Sequence, residues 1–318
     1  MRTKLELQAA IHRDRRAALV VNTRSRRGKR HYRRIREYLD TAGFKLLGCY
    51  PTDDPDRLGD NLNAAIGTGP DLLVAGGGDG TISEAARRLA YRDIALGLLP
   101  LGTTNNFART LGIPLQPAAA LALLTSGKVA DVDLGEVRPT TAGEPQTVPF
   151  ANLVSLGVSG EVAGHVSHLL KRLIGRAAYP LTALTRLPGH KAFHARITTA
   201  DGQTRVVRTH QLNIANGSFH AGTPIAGDAS ADDRLLMAYA LGAHGRRHLL
   251  AATVMHLLTG HRRTLTDEPF LTTDDLWLHT EPALPLDVDG ELCGTTPAHV
   301  GLAAQALLVV VDADFPDT

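Results

Sequence analysis

Short apolar segments alternate with helix-length segments over the first hundred residues, and this alternation restricts the fold more than any other feature. The apolar segments are AALVVNT (Ala17–Thr23), KLLGCYPT (Lys45–Thr52), DLLVAGGG and IALGLLPLG. Runs of this length, bounded by turn residues, are typical of buried strands. Strands that alternate with helices pair in parallel and carry helices on both faces. We therefore predict an N-terminal doubly wound parallel-sheet α/β domain.

After about residue 133 the pattern changes, because strand-like runs follow one another directly. The turn-prone pairs Asp201-Gly202 and Asp289-Gly290 separate some of these runs, which favours antiparallel sheets joined by hairpins. Two helical stretches, near residues 165–187 and 245–263, interrupt them. We predict an α/β domain over residues 15–133 and a larger, antiparallel, β-sandwich-like domain over residues 134–306. We also expect the last dozen residues to pack back on the first domain.

Composition excludes several classes of protein. An apolar fraction of 43% suffices for a sizeable core, so the chain is not disordered as a whole. Because charges or breakers interrupt every long apolar run, we expect no membrane-spanning helix. The first residues lack an apolar stretch followed by a small-residue cleavage site, so we expect no signal peptide. Only two cysteines occur, Cys49 and Cys293, and such low usage favours a reducing cytoplasm.

The net charge of +2 hides an uneven distribution, because the first part of the chain is strongly basic and the last part is acidic. Residues 1–50 hold 14 basic and 4 acidic side chains, whereas residues 266–318 hold 11 acidic side chains and no Lys or Arg. The balanced total argues against a dedicated nucleic-acid binder. Eight Lys or Arg lie between Arg24 and Arg36. This basic segment either meets phosphates and anionic lipid headgroups or is a solvated helix start.

The segment GGGDGT, Gly76–Thr81, is the strongest single indication of a binding site. It follows a buried strand and precedes a helix. Glycines let backbone N–H groups approach a phosphate closely, and a helix start attracts anions. It is not a P-loop, because no Gly-Lys-Ser/Thr follows, and Ser83 stands where a dinucleotide fingerprint has its third glycine. Thr81 and Glu84 fit a capping box. The alternative is a tight packing turn.

A second turn of the same kind, PLGTTNNFART, follows the next strand. Adjacent parallel strands that both end in donor-rich turns place those turns side by side at one edge of the sheet. We therefore predict a single ligand site at this edge. Simple N-capping by Thr104 or Asn105 is the alternative.

These two turns and four later segments resemble the catalytic domain shared by diacylglycerol, sphingosine and ceramide kinases. The later segments are ANLVSLGVSGEV, QLNIANGSFHAGT, ASADDRLL and LDVDGEL, and the likeness is greatest to soluble bacterial diacylglycerol kinase-like lipid kinases. The resemblance implies an active-site cleft between the two domains. It implies ATP-dependent phosphorylation of a hydroxyl on a diacylglycerol-like or sphingoid lipid. It also implies a cytoplasmic protein, peripheral at the inner membrane face, that uses Mg²⁺.

The resemblance also implies roles for individual residues. In the Asp289-Gly290-Glu291 segment, Glu291 would accept the proton and Asp289 would be a second catalytic carboxylate; from the residues alone, this segment is a plain hairpin turn. Asp79 would lie near the metal and phosphates. The implied nucleotide-binding residues are Thr52, Gly76, Gly77, Gly78, Asp79, Gly80, Thr81, Ile82, Thr103 and Asn105.

A structural Mg²⁺ site is implied in the ASADDRLL segment. Asp233 and the backbone carbonyls of Ser230 and Leu235 would hold the ion, and oxygen-only ligation suits a hard cation. The alternative is a solvated loop.

Two other functions stay open at this point. NAD kinases share the GGDGT turn, although this chain lacks their Gly-Thr-x-Gly-Phe pattern at Gly102–Phe107. A catalytically silent nucleotide- or lipid-binding homologue is the other, because Asn106 and Arg234 stand where the family often has Asp and Gly. The sequence leaves open which lipid is the substrate and whether the protein forms a homodimer.

Overall fold

The computed structural model describes residues 2–140, 146–158, 190–216, 219–220, 223–224, 234–241 and 271–316. The predicted helical stretches near residues 165–187 and 245–263 lie outside these residues, as do Ser230 and Asp233. Two large sheets and one short hairpin organise the described part.

The first hundred residues form four parallel strands in the order β2-β1-β3-β4. These strands are β1 (Arg16–Asn22), β2 (Lys45–Thr52), β3 (Leu72–Gly77) and β4 (Ala95–Pro100). Every residue of β3 and β4 is buried, which explains their almost uninterrupted apolar sequences, because a parallel sheet is covered on both faces.

Helices cover both faces of this parallel sheet. They are α1 (Lys4–Asp14), α2 (Arg26–Thr41), α3 (Leu58–Gly67), α4 (Asp79–Leu89), α5 (Asn106–Thr110) and α6 (Pro117–Ser126), with a 3-10 turn at Pro55–Arg57. Helix α2 packs beside α6, and α3 packs beside α4. The predicted doubly wound arrangement is confirmed.

The same sheet continues into an antiparallel half beyond β4. Its order from β4 is β18-β15-β8-β9, and β5 pairs with both β18 and β6. These strands are β5 (Lys128–Pro139), β6 (Val148–Phe150), β8 (Phe193–Thr199), β9 (Thr204–Thr209), β15 (Asp275–Glu281) and β18 (Ala298–Val311).

Strand β18 is the element that joins the two halves. It pairs antiparallel with β5 over nearly its whole length, and Val309 pairs in parallel with Leu96 of β4. The end of the chain therefore lies against the first hundred residues. The exact domain boundaries, 15–133 and 134–306, stay a prediction.

A second, antiparallel sheet has the order β14-β13-β10-β7-β16-β17. Its strands are β7 (Leu153–Gly157), β10 (Gln211–Asn216), β13 (Leu236–Leu241), β14 (Leu271–Thr273), β16 (Pro285–Val288) and β17 (Glu291–Thr295); β11 (Phe219–His220) and β12 (Thr223–Pro224) form the short hairpin.

One face of the second sheet packs on the antiparallel half of the first. Buried Val154, Ile214 and Leu286 share a core cluster with Ile197 and Leu278. This packing confirms the predicted antiparallel sandwich. Among the described helices, none has both the length and the apolar character that crossing a bilayer requires.

Candidate active site

The order of the parallel strands marks where a ligand can bind. The chain passes from β1 to β2 on one side and then returns to β3 on the other. In such sheets a crevice opens at the carboxyl ends of the two strands where the direction reverses. Here the loop after β1 and the glycine turn after β3 flank that crevice, and Asn22 Nδ2 donates to Thr81 Oγ1 across it at 3.2 Å.

The glycine turn is sterically restricted. Gly78, in extended conformation, is the N-cap of α4, and the helix begins at Asp79. A Cβ on Gly77 would overlap the Thr81 side chain, which folds back over the turn. The predicted capping box is therefore wrong, because Thr81 lies inside the helix and its hydroxyl is a partner of Asn22. Gly76, Gly77, Gly78, Gly80 and Ile82 line this same turn.

The second turn lies directly against the first. The N–H groups of Leu101 and Gly102 both donate to Gly77 O, at 2.8 and 3.0 Å. A Cβ on Gly102 would overlap the Gly78 backbone. Asn105 adopts the left-handed conformation, with φ of 50°, which asparagine tolerates, and its Oδ1 accepts from Gly102 N at 3.0 Å. The two turns thus form one unit.

Asp79 connects the two turns through hydrogen bonds to its carboxylate. Its carboxylate accepts from the Thr104 hydroxyl, from Asn105 N at 3.0 Å and from Asn106 N. A carboxylate offers about four acceptor positions, so one position remains for a further partner. Oxygen is the ligand type that Mg²⁺ prefers, and the predicted position of Asp79 near a metal is compatible with this geometry.

The two predicted threonines lie at the same edge of the sheet but in different surroundings. Thr52 ends β2 and is buried, and its hydroxyl accepts from Asn61 Nδ2 at 2.9 Å. Thr103 is exposed at the tip of the second turn. Their nucleotide contacts stay predictions.

The basic segment forms the loop after β1 and the first half of α2. Ser25 caps α2 by accepting from Gly28 N at 2.9 Å, and no acidic residue lies in the first turn. The first turns instead carry Arg26, Arg27, Lys29 and Arg30, all exposed. Cations at a helix start oppose the helix dipole. This arrangement makes the edge with the glycine turns electropositive, and Arg27 Nη1 donates to Gly102 O at 3.2 Å.

The Asp289-Gly290 hairpin brings two acidic residues from the far end of the chain to α4. Both turn residues have positive φ, 52° and 97°, as the two-residue Asp-Gly hairpin requires. The Asp289 carboxylate accepts from the backbone N–H groups of Ala151, Asn152 and Leu153 at 2.7–3.0 Å. Burial raises the pKa of Asp289, while these N–H groups and the Ser83 hydroxyl oppose the rise.

Glu291 lies in a very different environment. Its side chain is 64% exposed, and its Oε2 accepts from both Nη1 and Nη2 of Arg87 at 3.1 Å. The lone pairs of Asp289 are largely committed to backbone donors, whereas Glu291 retains an accessible oxygen. Of the two predicted carboxylates, Glu291 has the environment better suited to accept a proton.

Three polar side chains, in α4 and just beyond its end, form hydrogen bonds with later parts of the chain. Asn152 Nδ2 donates to Ser83 Oγ at 3.0 Å, Arg87 pairs with Glu291, and the Tyr91 hydroxyl donates to Glu136 Oε1 at 2.6 Å. Ser83 and Arg87 are four residues apart and share one face of α4, whereas Tyr91 lies beyond the helix end at Leu89 and has a positive φ of 59°. Sequence reasoning missed these three contacts, because the residues are polar and show no apolar periodicity.

The predicted structural Mg²⁺ site is only partly within the described residues. Leu235 is described and is 40% exposed, whereas Ser230 and Asp233 lie outside. Within the described residues, no group of three or more His, Cys, Asp or Glu side chains is placed to hold a metal. The site therefore stays a prediction.

Comparison with known proteins assigns both halves of the chain. Residues 16–137 match the diacylglycerol kinase catalytic domain, and residues 152–311 match the YegS C-terminal NAD kinase beta sandwich-like domain. A Pseudomonas aeruginosa protein named "Probable lipid kinase YegS-like" is 36% identical over 260 residues, which cover 80% of this chain and 81% of that protein. A Chromohalobacter salexigens protein of the same name is 32% identical over 230 residues, 70% of each chain.

A solved structure shows the same fold. The crystal structure described as a diacylglycerol kinase from Bacillus anthracis matches with a TM-score of 0.72 at 24% identity, covering 94% of this chain and 97% of that one. At this identity the likeness concerns the fold alone.

Proposed function

This chain belongs to the YegS-like lipid kinases with a diacylglycerol kinase catalytic domain, and we infer that it transfers the γ-phosphate of ATP to a hydroxyl group of a lipid. One observation carries the inference. Two glycine turns lie against each other where the strand order reverses, and the first of them starts α4. The carboxylate of Glu291, from the second sheet, contacts the same helix.

The glycine turns are the proposed binding site for the ATP phosphates. The residues that would line it are Thr52, Gly76, Gly77, Gly78, Asp79, Gly80, Thr81, Ile82, Thr103 and Asn105. The start of α4 offers backbone N–H groups and the positive end of the helix dipole. Mg²⁺, when bound, would neutralise charge on the phosphates, and Asp79 is the residue proposed to face it.

Glu291 is the proposed proton acceptor. The lipid hydroxyl oxygen forms a bond to the γ-phosphorus, the hydroxyl proton moves to the Glu291 carboxylate, and the bond between the γ-phosphorus and the bridging oxygen of ADP breaks. A carboxylate within hydrogen-bond reach of the hydroxyl is sufficient for this role. Asp289 supports the reaction by fixing the hairpin that carries Glu291, because its three backbone partners hold the hairpin against residues 151–153.

The acceptor is proposed to be a diacylglycerol-like or sphingoid lipid, presented at the inner face of the cytoplasmic membrane. The exposed basic residues of α2 support this proposal, because each Lys or Arg near an anionic surface contributes about 1 kcal/mol. They lie at the edge that also carries the glycine turns. Binding to vesicles that contain an anionic lipid, with weak binding to vesicles of neutral lipid alone, is the expected result in a sedimentation assay.

The decisive experiment is transfer of radiolabelled phosphate from ATP to a panel of lipids in mixed vesicles. The panel contains diacylglycerol, monoacylglycerol, sphingosine and ceramide, with NAD as a soluble acceptor. We expect the wild type to phosphorylate at least one lipid and Glu291→Gln to lower kcat by about 10²–10⁴-fold. Glu281→Gln, at an exposed position in β15, is the matched control and should keep wild-type activity.

Three results would change the assignment. Full activity of Glu291→Gln rejects the proposed base. Phosphorylation of NAD without lipid identifies a soluble-substrate kinase. ATP or lipid binding with no turnover on any acceptor identifies a catalytically silent homologue.

A further inference from the structure

The contact between Arg87 and Glu291 involves one carboxylate oxygen of the proposed base and leaves the other oxygen outside the pair. Both terminal nitrogens of Arg87 contact Oε2 of Glu291 at 3.1 Å, and Oε1 takes no part in this pair. Glu291 starts β17 immediately after a hairpin turn, and its side chain is 64% exposed. An exposed glutamate side chain samples several rotamers, so a fork-shaped partner restricts its orientation.

Arg87 also lies beside a second carboxylate, that of Glu84 on the same helix. Its side chain is 25% exposed, and its Nη1 lies 3.4 Å from Glu84 Oε2. The other oxygen of Glu84 accepts from Arg88, at 2.8 Å from Nε and 2.6 Å from Nη2. Arg88 in turn donates to Asn63 of α3 at 2.7 Å. Glu84, held by Arg88, therefore provides a second negative charge that attracts the Arg87 guanidinium, without a hydrogen bond between the two.

Arg87 lies on the helix that starts at the glycine turn. The helix begins at Asp79 in that turn, and Arg87 lies about 12 Å further along its axis. One rigid helix therefore carries both the proposed phosphate site and the group that orients the proposed base. This arrangement ties Glu291 to the helix that starts at the glycine turn, although Arg87 and Glu291 are 204 positions apart in the sequence.

We propose that Arg87 is a positioning residue of the transfer reaction, which anchors Oε2 of Glu291 and thereby aims Oε1 at the acceptor hydroxyl. The inference rests on the proposed role of Glu291. The lipid hydroxyl oxygen bonds to the γ-phosphorus, its proton passes to Oε1 of Glu291, and the bond between the γ-phosphorus and the bridging oxygen of ADP breaks. Arg87 neither gives nor takes a proton. Misplacement of a reacting group by about 1 Å can cost 10²-fold in rate.

A kinetic double-mutant cycle tests whether Arg87 acts through Glu291. The proteins are the wild type, Arg87→Ala, Arg87→Lys, Glu291→Gln and the double variants Arg87→Ala/Glu291→Gln and Arg87→Lys/Glu291→Gln. Arg92→Ala removes the same charge from an exposed position just beyond α4 and is the control. Each is assayed for kcat and for the KM of ATP with the lipid that the wild type phosphorylates, after its melting temperature confirms folding.

We expect Arg87→Ala to lower kcat by about 10- to 100-fold while the KM of ATP changes by less than about 2-fold. Arg87→Lys should recover part of the loss, because an ammonium supplies the charge without the two-pronged geometry. The double variant should match Glu291→Gln within about 2-fold. Arg92→Ala should match the wild type.

Several outcomes overturn the proposal. An unchanged or raised kcat of Arg87→Ala does so, as does an equal loss from Arg87→Ala in the Glu291→Gln background, because Arg87 then acts independently of Glu291. A rise in the KM of ATP at unchanged kcat makes Arg87 a nucleotide contact instead. If Arg87→Ala is unfolded, the cycle is decided by Arg87→Lys in both backgrounds. A wild type without lipid phosphorylation, or a fully active Glu291→Gln, fails the proposed function itself and overturns this inference with it.

Discussion

The glycine turn and the acidic hairpin both meet α4, but different physical means hold them there. At the start of the helix, Gly77, Gly78 and Gly102 allow backbones to approach so closely that a Cβ on Gly77 or Gly102 would overlap its neighbours. Further along, the hairpin is held by a carboxylate on backbone N–H groups and by an exposed ion pair. A close backbone contact is disrupted by any side chain that replaces the glycine, whereas a side-chain pair can be weakened in steps by conservative substitutions.

The comparison also separates two acidic residues that the sequence places two positions apart. Asp289 accepts three backbone hydrogen bonds and organises the hairpin, whereas Glu291 is exposed and faces Arg87. One hairpin therefore combines a residue that we expect to matter for stability with one that we expect to matter for turnover.

Among changes to the contacts that hold the turns and the hairpin in place, Gly102→Ala should have the largest effect. The added methyl group must displace the Gly78 backbone and so move the two turns apart. Because a shift of about 1 Å at a reacting group can cost 10²-fold in rate, we expect kcat/KM for ATP to fall by at least that factor. Steady-state kinetics at saturating lipid measure it.

Gly67→Ala is the matched control for this change. Gly67 is the last residue of α3, outside both turns, a Cβ there meets nothing within 4 Å, and alanine favours helix over glycine by about 1 kcal/mol. We expect near-wild-type activity and equal or greater stability. Equal losses for both variants would show that the close approach of Gly102 to Gly78 is not what matters.

A smaller effect should follow from Asp289→Asn. An amide has one oxygen where the carboxylate uses two to accept three N–H groups, so at least one buried donor loses its partner at a cost of about 1–3 kcal/mol. Urea unfolding at neutral pH should show this loss. Glu291→Gln should change the free energy of unfolding by less than about 1 kcal/mol. Similar destabilisation by both would contradict the division of roles.

The smallest effect should come from Tyr91→Phe. Burial and the hydrogen bond to Glu136 raise the pKa of Tyr91 to about 12, above the unfolded value of about 10. The stabilisation is therefore complete below about pH 10 and is lost as the pH rises through about 12. Tyr91 is 55% exposed, so we expect less than about 1 kcal/mol.

The measurement is the difference in urea midpoint between wild type and Tyr91→Phe at about pH 9 and about pH 11.5. The difference should shrink at the higher pH. A constant difference would mean that the ionisation of Tyr91 is not linked to folding.

Much of the fold could be predicted because it depends on local sequence. The uninterrupted apolar runs at Leu72 and Ala95 are what a two-sided parallel sheet requires, and the Asp201-Gly202 and Asp289-Gly290 pairs form the expected hairpins. The glycine turns of the candidate site could also be predicted, because glycine is the residue that lets two backbones approach each other closely.

What could not be predicted depends on contacts between distant residues. The pair of Arg87 with Glu291 spans 204 positions, and charges that are solvated in most helices give no sign of such a partner. The capping-box prediction failed for a related reason. Thr81 and Glu84 have the correct spacing, but the helix already begins at Asp79, so Thr81 lies inside it, where its hydroxyl accepts a hydrogen bond from Asn22 of β1.

Strand β18 has a consequence for how the protein is made. Strand β4 is completed on its outer side by β18, and β5 reaches the main sheet through the same strand. During synthesis, the outer edge of β4 (Ala95–Pro100) therefore has no partner until Ala298–Val311 has also been made. The parallel half of the sheet is thus completed by a strand that follows the described strands of the second sheet along the chain.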